Sequence, residues 1–166
     1  MRGIPESKDA PTEKEEKRES APSLPPAVTP PSIYVLSKSA RALNMTVELR
    51  STTSLRSVST SALLDSGATG MFVNRAFVQK HKLETRPLPN PVPVHNVDGT
   101  PNENGSIMEE VEVILRYSRH TEKARLAVAN LGRQTAIIGH SWLTHHNPEV
   151  DWARQSVTMS RCPPEC

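Results

Sequence analysis

A chain of 166 residues has room for one domain. Its formal net charge of +2 comes from mixed Lys, Arg, Asp and Glu without a basic block, so no electrostatic case for nucleic-acid or membrane binding arises. Two cysteines, Cys162 and Cys166, make no disulfide framework, and neither a signal-peptide stretch nor a run near the roughly 18 apolar residues of a membrane span is present, so a non-secreted protein of a reducing compartment is expected.

Residues 1–32 hold 11 charged side chains and 7 of the 15 prolines with almost nothing large and apolar. Such a segment cannot offset its ordering entropy by burial, so residues 1–40 read as a disordered charged, Pro-rich tail. From residue 42 the character changes. Leu43, Met45, Val47 and Leu49 alternate with Asn44, Thr46, Glu48 and Arg50, the period of a half-buried strand. A polar turn over 51–57 follows, and Val58 to Leu64 resumes strand character up to Asp65.

Beyond Gly70 the chain begins extended, and Ala76, Phe77 and Lys80 then take helical spacing. Pro87, Pro89, Pro91 and Pro93 stand at every second position, which excludes a central strand and suits an edge leading into a surface hairpin. Val111, Val113, Leu115 and Tyr117 alternate with Glu110, Glu112 and Arg116, and Ala124 to Val128 forms the second strand of a hairpin. Ala136 to Gly139 reads as the end of a buried strand. His140 to His146 reads as a short helix stopped by Asn147-Pro148, and Val157 to Met159 as a last short strand.

Of the four aspartates, Asp9, Asp65, Asp98 and Asp151, only Asp65 follows an apolar strand and precedes Ser-Gly. Ala62-Leu63-Leu64 delivers its carboxylate to a dry floor, Ser66 brings a hydroxyl, and Gly67 permits a sharp turn and offers a nearby N–H. Asp-Ser-Gly alone is an ordinary turn; a second apolar-apolar-Gly element at Ile137-Ile138-Gly139 raises its weight. Three segments, Leu63-Leu64-Asp65-Ser66-Gly67-Ala68-Thr69, Val97 to Gly105, and Ile137-Ile138-Gly139-His140-Ser141-Trp142-Leu143, resemble the marks of retropepsins. With Asn147-Pro148 and Asp151-Trp152, the likeness is closest to peptidase regions of gypsy-class long-terminal-repeat retrotransposons, over roughly residues 42–161.

The resemblance implies a mainly β, closed retropepsin-like barrel with one or two short helices over residues 41–161, leaving 162–166 as a C-terminal tail. It implies that Ile137-Ile138-Gly139 packs beside the Asp loop. It makes Asp65 the catalytic carboxylate of an aspartic endopeptidase, with Ser66, Gly67 and Ala68 supporting the loop and Ser66 helping to lock two such loops across a dimer. Asp98, Gly99 and Thr100 belong to a substrate-covering flap running to Gly105, a stretch whose bracketing glycines suit bending. Two facing acids must share one proton, and one chain offers one, so a homodimer is required. Polyprotein-like extended peptides are the implied substrates, in the cytoplasm or within virus-like particles. No metal or organic cofactor enters.

The competing readings are weaker. Ser66 lacks the glycine two residues before it that a nucleophile elbow needs, since Leu64 is there. His140, His145 and His146 lack the His-Glu-x-x-His pattern and read as a solvated helix face, and Cys162 to Cys166 offers only half of a metal site. Trp142 and Trp152 are expected in the core or at a dimer contact. The alternative function is a non-catalytic module that dimerises or binds peptide without cutting.

Overall fold

A computed structural model of the chain describes residues 42–96, 98–103 and 105–164; the expected tail over residues 1–40 lies outside them, as does Cys166. The chain runs β1 (Asn44–Ser51), β2 (Ser57–Leu64), β3 (Phe72–Asn74), α1 (Arg75–His81), β4 (Thr85–Val92), β5 (Ile107–Tyr117), β6 (His120–Ala129), β7 (Ala136–Ile138), α2 (His140–His146), β8 (Glu149–Asp151) and β9 (Ser156–Thr158). No helix among the described residues is long and apolar enough to cross a membrane.

The main sheet has the order β1-β2-β7-β3-β6-β5-β4, and a further pairing of β1 with β5 closes it on itself. Six strands thus form a barrel with β4 appended at its edge. Closure removes two otherwise unpaired edges. β5 makes it possible by length: its first residues pair with β4 around Thr85–Val111, and its last pair with β1 around Leu49–Leu115. The core is the one the period-two pattern marks out. Leu43, Met45, Val47 and Leu49 of the first strand meet Val111, Val113 and Leu115 of β5 and Leu126 and Val128 of β6 in one buried cluster. Trp142 is buried in it, whereas Trp152 is 65% exposed and contributes nothing to this core.

The helices end where local chemistry stops them. Asn74 caps α1 by accepting the Ala76 N–H at 3.0 Å, and Lys82 closes it in the left-handed conformation. Asn147 does the same for α2, with its N–H bonded to the Leu143 carbonyl, and Pro148 follows. The proline-spaced segment is indeed the edge strand, and its register against β5 shifts between Pro87 and Val92. The two-stranded β8–β9 sheet was only half anticipated, since Glu149-Val150-Asp151 is too short to show a period.

One polar position departs from expectation. Alternation places Glu112 on the wet face, yet its side chain is only 6% exposed. Arg125 lies opposite it in the β5–β6 register, with Lys123 two residues on, and Arg86 reaches across from β4. Lys123 Nζ sits 2.8 Å from its carboxylate. The hydrogen bond from Lys123 holds the Glu112 carboxyl below its ordinary value; partial burial opposes this, and the charges of Arg86, Lys123 and Arg125 add to the lowering. A folded-state pKa below the unfolded one stabilises the protein above the unfolded pKa, and that contribution is lost as pH falls through the folded one. Glu112→Gln should therefore lower the melting temperature by a few degrees at neutral pH. In thermal melts taken stepwise toward strong acid, the two proteins should converge.

Candidate active site

Asp65 leaves the end of β2 where that strand runs parallel to β7, with Leu63 beside Ile137 and Leu64 beside Ile138. The pairing continues one residue further, because the Asp65 N–H donates to the Ile138 carbonyl at 2.9 Å. Its carboxylate is half-buried, and Oδ1 accepts the Gly67 N–H at 2.9 Å. The turn closes with the Ala68 N–H on the Asp65 carbonyl at 3.2 Å. An aspartate side chain folding onto the amide two residues ahead is a standard turn device, and here it uses one of the two carboxylate oxygens.

The loop beyond is tied to the start of α2. His140 N–H donates to the Ala68 carbonyl at 2.7 Å, and Ser141 N–H to the Thr69 carbonyl at 3.0 Å. The free donors of a helix start thus meet the free acceptors of the Asp loop. Gly139 makes the approach possible. A β-carbon at this position would overlap the carbonyl oxygens of both Gly70 and Ala68. Its backbone is extended, so the need for glycine here is one of space. The expected packing of Ile137-Ile138-Gly139 beside the Asp loop is what the barrel contains.

Asp65 and Ala68 line a cleft of about 720 Å³. Ser66 and Gly67 lie exposed on the surface of the same loop. Other walls come from Asn74 and Arg75 at the start of α1, from Val128 to Leu131 at the end of β6 and just beyond it, and from the hairpin between β4 and β5. Asp65 is the one carboxylate among the described residues lining the cleft.

That hairpin is longer than Asp98 to Gly105. Its ladder runs from Val92–Ile107 to a bridge between His95 and Pro101, and the turn at its tip is held by Asn96 N–H on the Thr100 carbonyl at 2.8 Å. Asp98 accepts both the backbone N–H and the hydroxyl of Thr100, at 3.0 and 2.7 Å, and these bonds lower its carboxyl pKa. Gly99 and Gly105 have φ of 83° and 77°, conformations that other residues rarely adopt. Asp98, Gly99 and Thr100 form the exposed tip and are not among the residues lining the cleft; Val94, His95, Asn102 and Ile107 of the same hairpin are. Asn102 and Gly105 of the expected flap thus line the cleft, whereas Val94, His95 and Ile107 lie outside that segment and carry no motif, because their role depends on the hairpin's register.

A mainly β barrel closed through β1–β5, with an Asp-Ser-Gly loop braced by an Ile-Ile-Gly strand and a hairpin beside the cleft, is a retropepsin-like protease domain. Residues 61–166 match the PEG10/RTL1 protease domain, and the chain belongs to this family. Similar solved structures include the retroviral protease-like domain of Ddi1 from Leishmania major, 14% identical, with 75% of this chain and 96% of that one covered at a TM-score of 0.47. Another is EIAV protease complexed with the inhibitor HBY-793, 18% identical, with 71% and 97% covered at a TM-score of 0.49.

Gly139→Ala should dislodge the Asp loop. Overpacking against fixed backbone costs roughly 1–3 kcal/mol or more. Denaturant unfolding should show that loss, and hydrogen exchange should show faster exchange at the Asp65 and His140 amides than at β5 amides. Unchanged protection at those two amides would contradict the account.

Proposed function

We propose that the chain is one half of a homodimeric aspartic endopeptidase in which Asp65 of each copy supplies one carboxylate of the reacting pair. The observation that carries this reading is the placement of Asp65: oriented by the Gly67 amide, half-buried, and alone among the described acids lining a cleft large enough for peptide. Membership in a protease-domain family supports it. Hydrolysis of an unactivated peptide bond by carboxylates needs one to take a proton from water and another to donate one to the carbonyl oxygen. Two such groups a few ångströms apart share a single proton, because both cannot ionise cheaply. With one acid per cleft, the second comes from a second copy across a two-fold axis.

In the first step the ionised Asp65 accepts a proton from the attacking water while the protonated partner donates to the peptide oxygen. As the tetrahedral intermediate collapses, the newly protonated Asp65 donates to the leaving nitrogen while the partner carboxylate takes a proton back from the gem-diol hydroxyl. The C–N bond breaks, the carbonyl re-forms and the pair again holds one proton. In this reading the exposed Ser66 contacts its counterpart in the other copy, while Gly67 and Ala68 keep the loop in shape through their amides on Asp65. The substrates are extended peptide segments of the polyprotein kind, lying between the Asp loops and the β4–β5 hairpin. The pH profile of cleavage is a property of the pair, with its optimum on the acidic side of neutrality.

Purified protein should cleave unstructured peptides, with inhibition by pepstatin-type compounds and a specific activity that falls on dilution as dimers dissociate. Asp65→Asn should lower kcat/KM by roughly 10²–10⁴-fold or more while leaving the fold intact. Cleavage surviving that change would sink the proposal. A folded dimer that binds peptide and never cuts it would favour the non-catalytic module.

A further inference from the structure

A second cluster of reactive side chains shares no lining residue with the Asp65 cleft. His120 opens β6, His146 ends α2, and Cys162 follows β9. The side chains of His120 and His146 are 2% and 1% exposed, and Cys162 is half-buried. His146 therefore does not belong to a solvated helix face, unlike the exposed His140 and His145, and Cys162 packs onto the domain rather than trailing from it.

The Cys162 Sγ lies 3.3 Å from His120 Nδ1 and 3.4 Å from His146 Nδ1, and three potential donor atoms lie within 4.8 Å of one another. The opposite ring nitrogens face a single carboxylate. His120 Nε2 is 3.3 Å from Glu122 Oε1, at ion-pair distance without hydrogen-bond alignment, and His146 Nε2 is 3.2 Å from Glu122 Oε2. The Trp142 indole N–H also donates to Glu122.

Counting protons shows what the arrangement is suited to. An ionised carboxylate only accepts, so neutral imidazoles facing it carry their proton on Nε2 and turn an Nδ1 lone pair toward the sulfur. Two nitrogen lone pairs and a sulfur then converge on one thiol proton. A cation serves all three donors at once. Zinc bonds of about 2.0–2.1 Å to nitrogen and 2.3 Å to sulfur, at tetrahedral angles, put N and S about 3.6 Å apart, within a few tenths of an ångström of the two contacts observed. With all donors within 4.8 Å of one another, the two nitrogens close to about 3.3 Å around the ion. Nitrogen and thiolate donors select zinc over calcium or magnesium, and a carboxylate behind the ligating imidazoles is the usual outer support of such a site.

We propose that His120, His146 and Cys162 bind one zinc ion through Nδ1, Nδ1 and Sγ, with Glu122 as the positioning carboxylate for both rings. Binding replaces the thiol proton, which is released to solvent, by a sulfur–zinc bond. A surface cavity of about 430 Å³, lined by Tyr117, His120, Met159 and Cys162 among others, gives the ion a path in. The site has a structural role: it clips the segment after β9 to β6 and α2. It stands whether or not the Asp65 cleft cuts peptides.

The test uses the full chain, stripped by a chelator under reducing conditions and titrated with cobalt(II) and then zinc. One equivalent of cobalt should produce sulfur-to-metal charge-transfer absorption with tetrahedral ligand-field bands, zinc should displace it, and the melting temperature should rise. Nitrogen NMR of the unmodified protein should show Nδ1 resonances of two of the six histidines shifting with one equivalent of zinc. Cys162→Ser should abolish the charge-transfer band, and Glu122→Gln should retain it while weakening zinc binding 10–100-fold. Absence of stoichiometric binding by the folded chain, a band that persists in Cys162→Ser, or zinc binding without any Nδ1 shift would each overturn the proposal.

Discussion

The candidate active site rests on one close backbone approach. Where β7 ends, Gly139 lies directly against the carbonyls of Ala68 and Gly70, and this lets the next two amides of α2 reach the Asp loop. Everything that orients Asp65 follows from it. The parallel β2–β7 pairing carries the strand to the right depth, the Ile138 carbonyl takes the Asp65 N–H, and the Gly67 amide takes one carboxylate oxygen. Each contact is a backbone contact or ends on one, so the geometry is insensitive to the identity of most side chains nearby. It is sensitive to bulk at one glycine.

Asp65, Glu112 and Glu122 are held in three different ways. Asp65 accepts one amide, is partly exposed and lines the cleft. Glu112 is surrounded by Arg86, Lys123 and Arg125 and kept ionised on the outer face of the barrel, where it ties three neighbouring strands together. Glu122 faces two imidazoles and an indole, hydrogen-bonded to Trp142 and His146 and at ion-pair distance from His120. A carboxylate surrounded by cations is held ionised, whereas one with a single amide donor is constrained far less.

Much of the barrel was legible because its strands bury one face and not the other. Leu43 to Leu49 and Val111 to Leu115 show the period cleanly, and both prove to be core. The prolines of β4 announced an edge for the simplest reason, a missing donor. Asp65 stood out through its apolar run and Ser-Gly, and the Ile-Ile-Gly echo located its brace. What stayed hidden depends on register and long-range pairing. The cleft-lining hairpin residues Val94 and His95 carry no motif, and the meeting of His120, His146 and Cys162 requires β6, α2 and the segment after β9 to converge. Spacing along the sequence cannot show that, because the three residues belong to no common local unit. Glu112 was misjudged for a related reason, since alternation reports which face a side chain takes but not how many cations cover that face.

Helix α2 joins these observations. At seven residues it is roughly 10 Å long, too short to be stable by itself, and its order must come from what its two ends hold. Its first amides are bound to the Asp loop, its middle buries Trp142 in the core, and its last residue, His146, lies between Glu122 and Cys162. The helix therefore bridges the loop that carries Asp65 and the cluster that anchors the segment after β9. Any ligand that binds the folded cluster and not the unfolded chain raises the free energy of unfolding, by an amount that grows with the logarithm of its concentration above its dissociation constant. Since the Asp loop is hydrogen-bonded to the same helix, a constraint placed on His146 at one end limits how far the loop at the other can open.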